Sequence, residues 1–214
     1  LLSKNRGTNN AQFSTNYQYF INTHSSANTP NVIDLYNYKG KKQRTIKNSY
    51  QLNETLKEYE LTKKEFFDFK TEQGVKLNGW IMKPIEFDEN KKYPVLMYVY
   101  GGPGYQTVKD SWAGANYMWY QMLCQQGYII VSIDNRGTGG RGADFKKCTY
   151  KELGKLETID QIEGAKYLAN LPYIDNNRIG IWGWSYGGYM SSLCILKGAK
   201  YFNTAIAVAP VTNW

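Results

Sequence analysis

The chain has 214 residues, of which 42% are hydrophobic and 21% are charged, and its formal net charge is +8. This composition excludes a disordered or fibrous protein and suits one large domain, or one domain with an appended piece. The densest basic run, KGKKQR at 39–44, is flanked by turn-forming residues. It indicates a solvated loop rather than a surface that binds nucleic acid.

The three cysteines are Cys124, Cys148 and Cys194, and no two of them form a CxxC pair. They predict buried thiols rather than a disulfide framework. No stretch approaches the roughly 18 apolar residues that span a bilayer, so we expect no membrane-spanning segment. The chain begins LLSKNRG, without an initiating methionine, and we expect a cut or processed N-terminus. The sequence therefore leaves the cellular compartment open.

Residues 1–58 are polar, and short strand-like runs alternate in them with turn-forming clusters. The runs are AQFS at 11–14, YQYFINT at 17–23 and NVIDLYNY at 31–38. Short strands at regular spacing indicate an antiparallel β element such as one propeller blade, which needs neighbours to bury both faces. His24 is the chain's one histidine, and its cluster NTHSSANTP predicts a surface turn. Residues 48–61 predict a connecting turn or short helix.

After about residue 62 the pattern becomes that of an α/β fold. Residues 64–84 alternate around EQG and predict a hairpin. Strands are predicted at 93–102, 127–137, 178–183 and 204–211, the first two buried on both faces, and helices at 110–127, 157–172 and 186–198. Strands that alternate with helices after a leading hairpin indicate a mostly parallel, doubly wound sheet. We therefore predict two domains, 1–58 and 59–214.

The stretch GWSYG at 183–187 places a serine between a predicted strand and a predicted helix. In this nucleophile-elbow pattern a tight turn exposes the serine hydroxyl, and the residues two before and two after it must be small. Gly183 and Gly187 meet that need. The helix N-terminus also favours negative charge and offers the N–H of Tyr186 to an oxyanion. We predict that Ser185 is a nucleophile; the alternative is a glycine-rich turn that merely contains a serine.

The loop YVYGGPG at 98–104 follows a predicted buried strand, where α/β-hydrolases place their other oxyanion donor. Tyr100 stands directly before the two glycines, and its phenol O–H is the donor that this loop offers. The alternative is a structural tyrosine that ends a strand before a Gly-Pro turn.

Four motifs in this order and spacing resemble the prolyl oligopeptidase family of serine peptidases, most of all its dipeptidyl peptidase IV branch. They are YGGPG (100–104), DNRGTGGRG (134–142), GWSYGGY (183–189) and AVAPVTNW (207–214). The resemblance covers the whole chain and implies an incomplete α/β-hydrolase, with a doubly wound, mostly parallel sheet, preceded by the last blade of a β-propeller. It implies an exopeptidase that releases N-terminal dipeptides ending in proline or alanine through an acyl-enzyme.

Carried over residue by residue, the resemblance implies that Ser185 is the nucleophile. It implies that the Tyr100 hydroxyl and the Tyr186 N–H form the oxyanion hole. Tyr186, Val211 and Trp214 match positions that line the pocket for the residue before the scissile bond. A proline ring suits aromatic walls because it is rigid and apolar and needs no N–H partner.

Other expectations concern charge and partners. Arg136 in DNRG is expected to be structural and to pair with Asp160 or Glu163. The resemblance implies peptide substrates and no cofactor, metal or nucleic acid. It also implies dimerisation of the full-length protein and a periplasmic or extracellular location.

The base that would activate Ser185 is the missing element. α/β-hydrolases order their triad as Ser, then Asp or Glu, then His. His24 precedes the serine, and one further strand is predicted after the serine's helix. We therefore expect the acid and base beyond residue 214, and a chain that is a piece of a longer protein and inactive alone. The propeller residues that bind a substrate's amino terminus are also expected to lie outside it.

Alternative functions remain on the same scaffold, because a fold does not determine its substrate. They are acylaminoacyl peptidase, oligopeptidase, tripeptidyl peptidase and esterase activities. A non-catalytic homologue that uses the fold for binding is the alternative from another class.

Overall fold

Two β-sheets, one antiparallel and one mixed, give the chain an α/β fold, as predicted. The structure is a computed structural model and describes residues 2–3 and 5–213. The chain divides into two units: Leu1–Lys63 with Lys109–Gln121, and Lys64–Val108 with Met122–Trp214. No helix among the described residues is long and apolar enough to cross a membrane.

The first unit contains a four-stranded antiparallel sheet in the order β1-β2-β3-β4, followed by a short helix. The elements are β1 Thr8–Phe13, β2 Tyr19–Ser26, β3 Thr29–Asn37, β4 Lys42–Lys47 and α1 Tyr50–Lys57. The three predicted strands and the short helix are confirmed. The loop predicted at 39–44 is wrong from residue 42 onward, because Lys42 pairs with Tyr36 and begins β4. Every β4 residue is exposed, and basic residues are typical of such an edge strand.

His24 lies inside β2, so its prediction as a surface-turn residue is wrong. It pairs with Asn9 of β1 and Val32 of β3. Strand pairing continues to Ser26, opposite Thr29, so that the turn between β2 and β3 is only two residues long. The His24 Nε2 atom lies 2.7 Å from the carbonyl oxygen of Arg6 and forms a hydrogen bond with it.

The second unit is built on a six-stranded mixed sheet in the order β10-β9-β7-β8-β6-β5. Its strands are β5 Lys64–Lys70, β6 Lys76–Met82, β7 Tyr93–Tyr98, β8 Ile129–Asp134, β9 Ile174–Trp184 and β10 Thr204–Val208. The pairs β5–β6 and β6–β8 are antiparallel, and the other three pairs are parallel. The predicted hairpin and mostly parallel sheet are confirmed. Helix α2, Ala115–Gln125, has its residues up to Gln121 in the first unit and the rest in the second. The later helices are α3 Ala143–Lys147, α4 Lys155–Ala169 and α5 Tyr186–Lys197.

Strand burial follows the apolar patterns only in part. β8, with the sequence IIVSID, is buried at every position, as predicted for a strand covered on both faces. In β7, by contrast, Val95 and Met97 are buried while Leu96 and Tyr98 are half-buried, so the prediction is wrong for one face. Because burial alternates along β7, the apolar core lies mainly on one side of this part of the sheet. Separately, the pairing of β7 with β9 shifts register around Pro94, which has no N–H to donate.

The cysteines are free thiols in two environments. Cys124 and Cys194 are buried, as predicted, and burial raises the pKa of each thiol to about 12. Cys148 is exposed, which contradicts the prediction. It follows directly after α3, a short helix with no buried residue.

A buried ion pair joins α4 to the end of β8. Asp160 is fully buried, and its carboxylate accepts hydrogen bonds from the backbone N–H of Arg136 at 2.7 Å and from the guanidinium Nη2 at 2.7 Å. The bond with Asp160 raises the pKa of Arg136. Of the two expected partners the structure therefore selects Asp160, while the carboxylate of Glu163 accepts the N–H of Glu72.

This ion pair gives a prediction for stability. Asp160→Asn should lower the free energy of unfolding by about 3 kcal/mol, because it leaves a largely buried guanidinium without its counter-charge. Asp175→Asn is the matched control, since Asp175 pairs with the exposed Arg178 and should contribute little. Urea unfolding of both variants checks this. Equal losses of stability in the two variants would contradict it.

Candidate active site

The turn between β9 and α5 presents Ser185 in a strained backbone conformation. Ser185 has φ 57° and ψ −114°, a region that residues with a side chain rarely adopt. Its N–H donates to the carbonyl of Val208 in β10 at 2.9 Å, and its carbonyl accepts the N–H of Tyr189 at 3.0 Å. The strand–serine–helix geometry expected of a nucleophile elbow is therefore present. The catalytic role of Ser185 stays a prediction.

The two glycines around Ser185 allow α5 to approach the end of β7. A Cβ atom at Gly183 or at Gly187 would overlap the carbonyl oxygen of Val99. A Cβ at Gly183 would also overlap the carbonyl group of Gly187. The small residues that the motif requires thus correspond to close backbone contacts.

Tyr100 and Tyr186 line the same cavity, of about 340 Å³. The two ring centroids are 6.0 Å apart, and the Tyr105 ring packs on Tyr100 at 4.6 Å. Leu153 lies on the same wall, together with Pro103 and Gly104. The structure therefore brings two of the predicted site residues together beside the serine turn.

The loop after Tyr100 is anchored to the end of β8. The buried carboxylate of Asp134 accepts the N–H and the hydroxyl of Thr107, each at 2.8 Å, and the N–H of Val108 at 3.2 Å. The N–H of Gly104 donates to the carbonyl of Gly137 at 2.8 Å. These bonds limit the movement of the loop that carries the Tyr100 hydroxyl.

Two predicted pocket residues are not brought to this cavity. Val211 is half-buried in the segment after β10 and is not among the described residues that line the cavity. Trp214 lies outside the described residues. The pocket roles of both remain predictions.

Glu157 is a site residue that sequence reasoning missed. It is fully buried on α4, and its Oε1 accepts the hydroxyl of Tyr186 at 2.8 Å. Burial raises the pKa of Glu157, and burial together with the bond to Glu157 raises the pKa of Tyr186. The available signal was the spacing of Glu157, Asp160, Gln161 and Gly164, which places them on one face of the helix. That face is buried although most of its residues are polar.

The sheet, the strained strand–serine–helix turn and the adjacent tyrosines define the class of α/β proteins with a nucleophile elbow. Within that class, residues 111–214 match the prolyl oligopeptidase family of peptidases. This match, together with the relatives described next, supports the family resemblance that the motifs predicted.

Similar proteins carry dipeptidyl peptidase names. The chain is 38% identical over 207 residues to dipeptidyl peptidase 4 of Trichophyton equinum, covering 95% of this chain and 27% of that protein. It is 35% identical over 202 residues to human dipeptidyl peptidase 8, covering 92% and 22% respectively. The crystal structure of Porphyromonas gingivalis dipeptidyl peptidase 4 superimposes with a TM-score of 0.96 at 48% identity, over 100% of this chain and 30% of that one. The chain thus spans less than a third of the length of these relatives.

The strained serine gives a second prediction. Ser185→Gly should be more stable than Ser185→Ala by about 1 kcal/mol, because glycine accepts the positive φ while alanine keeps the Cβ that causes the strain. Both variants lack the hydroxyl, so the comparison isolates the backbone. Chemical denaturation measures the difference, and equal stabilities would mean that the turn is not strained.

Proposed function

We propose that this protein is a serine exopeptidase of dipeptidyl peptidase IV type, which removes N-terminal dipeptides ending in proline or alanine. The observation that carries the proposal is the elbow geometry of Ser185, next to a cavity lined by Tyr100 and Tyr186. The names of its relatives support it.

In the proposed reaction the Ser185 hydroxyl attacks the carbonyl carbon of the scissile peptide bond while its proton passes to a general base. The negative oxygen that forms accepts hydrogen bonds from the Tyr100 hydroxyl and the Tyr186 N–H. The C–N bond then breaks as the base returns its proton to the leaving nitrogen, so that the shortened peptide leaves as an amine. Water, deprotonated by the same base, then hydrolyses the acyl-enzyme, and the returned proton restores the Ser185 hydroxyl as the dipeptide is released. Both donors are held in place, one by the loop that Asp134 anchors and one by α5.

The pocket for the residue before the scissile bond is proposed to consist of Tyr186, Val211 and Trp214. The Tyr186 ring is buried and flat, which suits a rigid apolar proline ring. Peptides are therefore the proposed substrates, and dimerisation stays a prediction.

The two sheets support a proposed domain arrangement. Residues 1–58 would form the last blade and linker of a β-propeller, which the four-stranded antiparallel order supports. Residues 59–214 would form the first part of an α/β-hydrolase domain, which the mixed sheet and the elbow support.

The general base is proposed to come from outside these 214 residues. His24 is the one histidine of the chain, and its ring bonds to the Arg6 carbonyl within the antiparallel sheet. The chain also spans less than a third of its relatives. The acid and base would then lie in the remainder of the full-length protein, and the 214 residues alone would not turn over peptides.

The nucleophile is tested by labelling the full-length protein with a fluorophosphonate. We expect one adduct on Ser185, and none in Ser185→Ala, because the probe reacts with an activated serine hydroxyl. Mass spectrometry of the peptide that contains residue 185 locates the adduct. Unchanged labelling of Ser185→Ala would overturn the assignment. Ser192→Ala is the matched control, since Ser192 bonds to the Gly188 carbonyl further along α5.

The oxyanion donor is tested by Tyr100→Phe, which removes only the hydroxyl. We expect kcat for a Xaa-Pro substrate to fall about a hundredfold, as for other oxyanion-hole donors, with a smaller change in KM. Steady-state kinetics of the full-length protein measures this. Tyr105→Phe serves as the control from the same loop, and a similar loss in both variants would assign Tyr100 to structure.

A further inference from the structure

The carboxylate of Glu157 is shared between the serine helix and the turn before α4. One oxygen accepts the Tyr186 hydroxyl at 2.8 Å, and the other accepts the N–H of Gly154 at 3.0 Å. Glu157 is fully buried and the Tyr186 side chain is 3% exposed, so water does not compete for these bonds. A buried carboxylate is stabilised mainly by the donors that the protein supplies, and here they hold it in one orientation.

The charged groups near Glu157 do not neutralise its carboxylate directly, so its hydrogen-bond donors matter for its stability. Asp160, one turn further along α4, is also fully buried and carries a second carboxylate. The nearby guanidinium of Arg136 is occupied with Asp160 through bonds from Nε and Nη2. Glu157 is therefore stabilised by hydrogen bonds from its own backbone N–H, the Tyr186 hydroxyl and the Gly154 N–H rather than by a direct ion pair.

The bond fixes the Tyr186 ring at both ends. Its Cα belongs to the first turn of α5, directly after Ser185, and its hydroxyl is held by α4. Between these points the ring forms part of the cavity wall with Tyr100 and Leu153. Packing against Tyr189 and Tyr100 already limits rotation of the ring, and the hydroxyl bond to Glu157 fixes its outer end.

We propose that Glu157 is a positioning residue, which locks the Tyr186 ring as a rigid wall and thereby sets the preference for proline before the scissile bond. The proposal rests on the proposed function. A pyrrolidine ring makes more contact with an aromatic wall than an alanine methyl does. Loss of the lock therefore weakens proline substrates more than alanine substrates.

The test compares Gly-Pro and Gly-Ala substrates with the same chromogenic leaving group, using the full-length protein. Tyr186→Phe keeps the ring but removes the hydroxyl, and Glu157→Leu removes its acceptor. Each should lower the Pro/Ala ratio of kcat/KM about tenfold, mainly through KM for the proline substrate. The rate at which a small fluorophosphonate labels Ser185 in Glu157→Leu should stay within about threefold of wild type, because the probe does not need the pocket.

Two further variants separate positioning from general stability. Glu157→Gln offers an oxygen to the Gly154 N–H and an N–H to the Tyr186 oxygen, so the Pro/Ala ratio should stay within about threefold of wild type. Tyr189→Phe removes a hydroxyl from the same helix that bonds to the Leu153 carbonyl, and it should leave the ratio unchanged. If Glu157→Leu fails to fold, the comparison of Tyr186→Phe with Tyr189→Phe remains decisive.

Several results would overturn the proposal. They are an unchanged ratio in Tyr186→Phe, an equal fall in Tyr189→Phe, a loss of Ser185 labelling in parallel with the ratio, or a Glu157→Gln variant as altered as Glu157→Leu. Failure of the proposed function has a different signature, because the wild-type protein would then release no dipeptide or would not be labelled at Ser185.

Discussion

The close approach of α5 to the end of β7 is the constraint on which the site depends. The Val99 carbonyl lies so near Gly183 and Gly187 that neither position can carry a Cβ. The chain passes from β9 into α5 through one residue, Ser185, which adopts a strained conformation. The result is a single hydroxyl presented at the carboxyl end of a parallel strand, where open α/β sheets bind their ligands.

Buried acceptors hold the parts around this turn. The Val208 carbonyl accepts the Ser185 N–H, and Asp134 accepts three donors from the loop that follows Tyr100. Glu157 holds the Tyr186 hydroxyl. Each bond adds little net stability, because the same groups bond to water in the unfolded chain. A buried acceptor that loses its donor, however, destabilises the folded protein. The geometry of the site therefore depends on hydrogen bonds as much as on apolar packing.

How much of this could be predicted from the sequence depends on whether the cause is local. The glycines of the elbow and the apolar run of β8 can be recognised from the local sequence alone, and both were predicted. β4 has six exposed residues and no apolar pattern, because its strand state comes from pairing with β3. Glu157 is buried, and the hydroxyl that donates to it belongs to Tyr186, 29 residues away. Sequence reasoning places glutamate on the surface, so it cannot predict the contact between Glu157 and Tyr186.

Helix α4 relates the two halves of the site to each other. Asp160 joins it to Arg136 at the end of β8, and Glu157 joins it to Tyr186 at the start of α5. The two carboxylates are three residues apart, so helical geometry sets the spacing of their partners. Because Asp134 anchors the Tyr100 loop to the same end of β8, the loop and the serine turn are both positioned against one helix. A rigid shared support is what two oxyanion donors from separate loops require, since a small misplacement of either weakens stabilisation of the transition state.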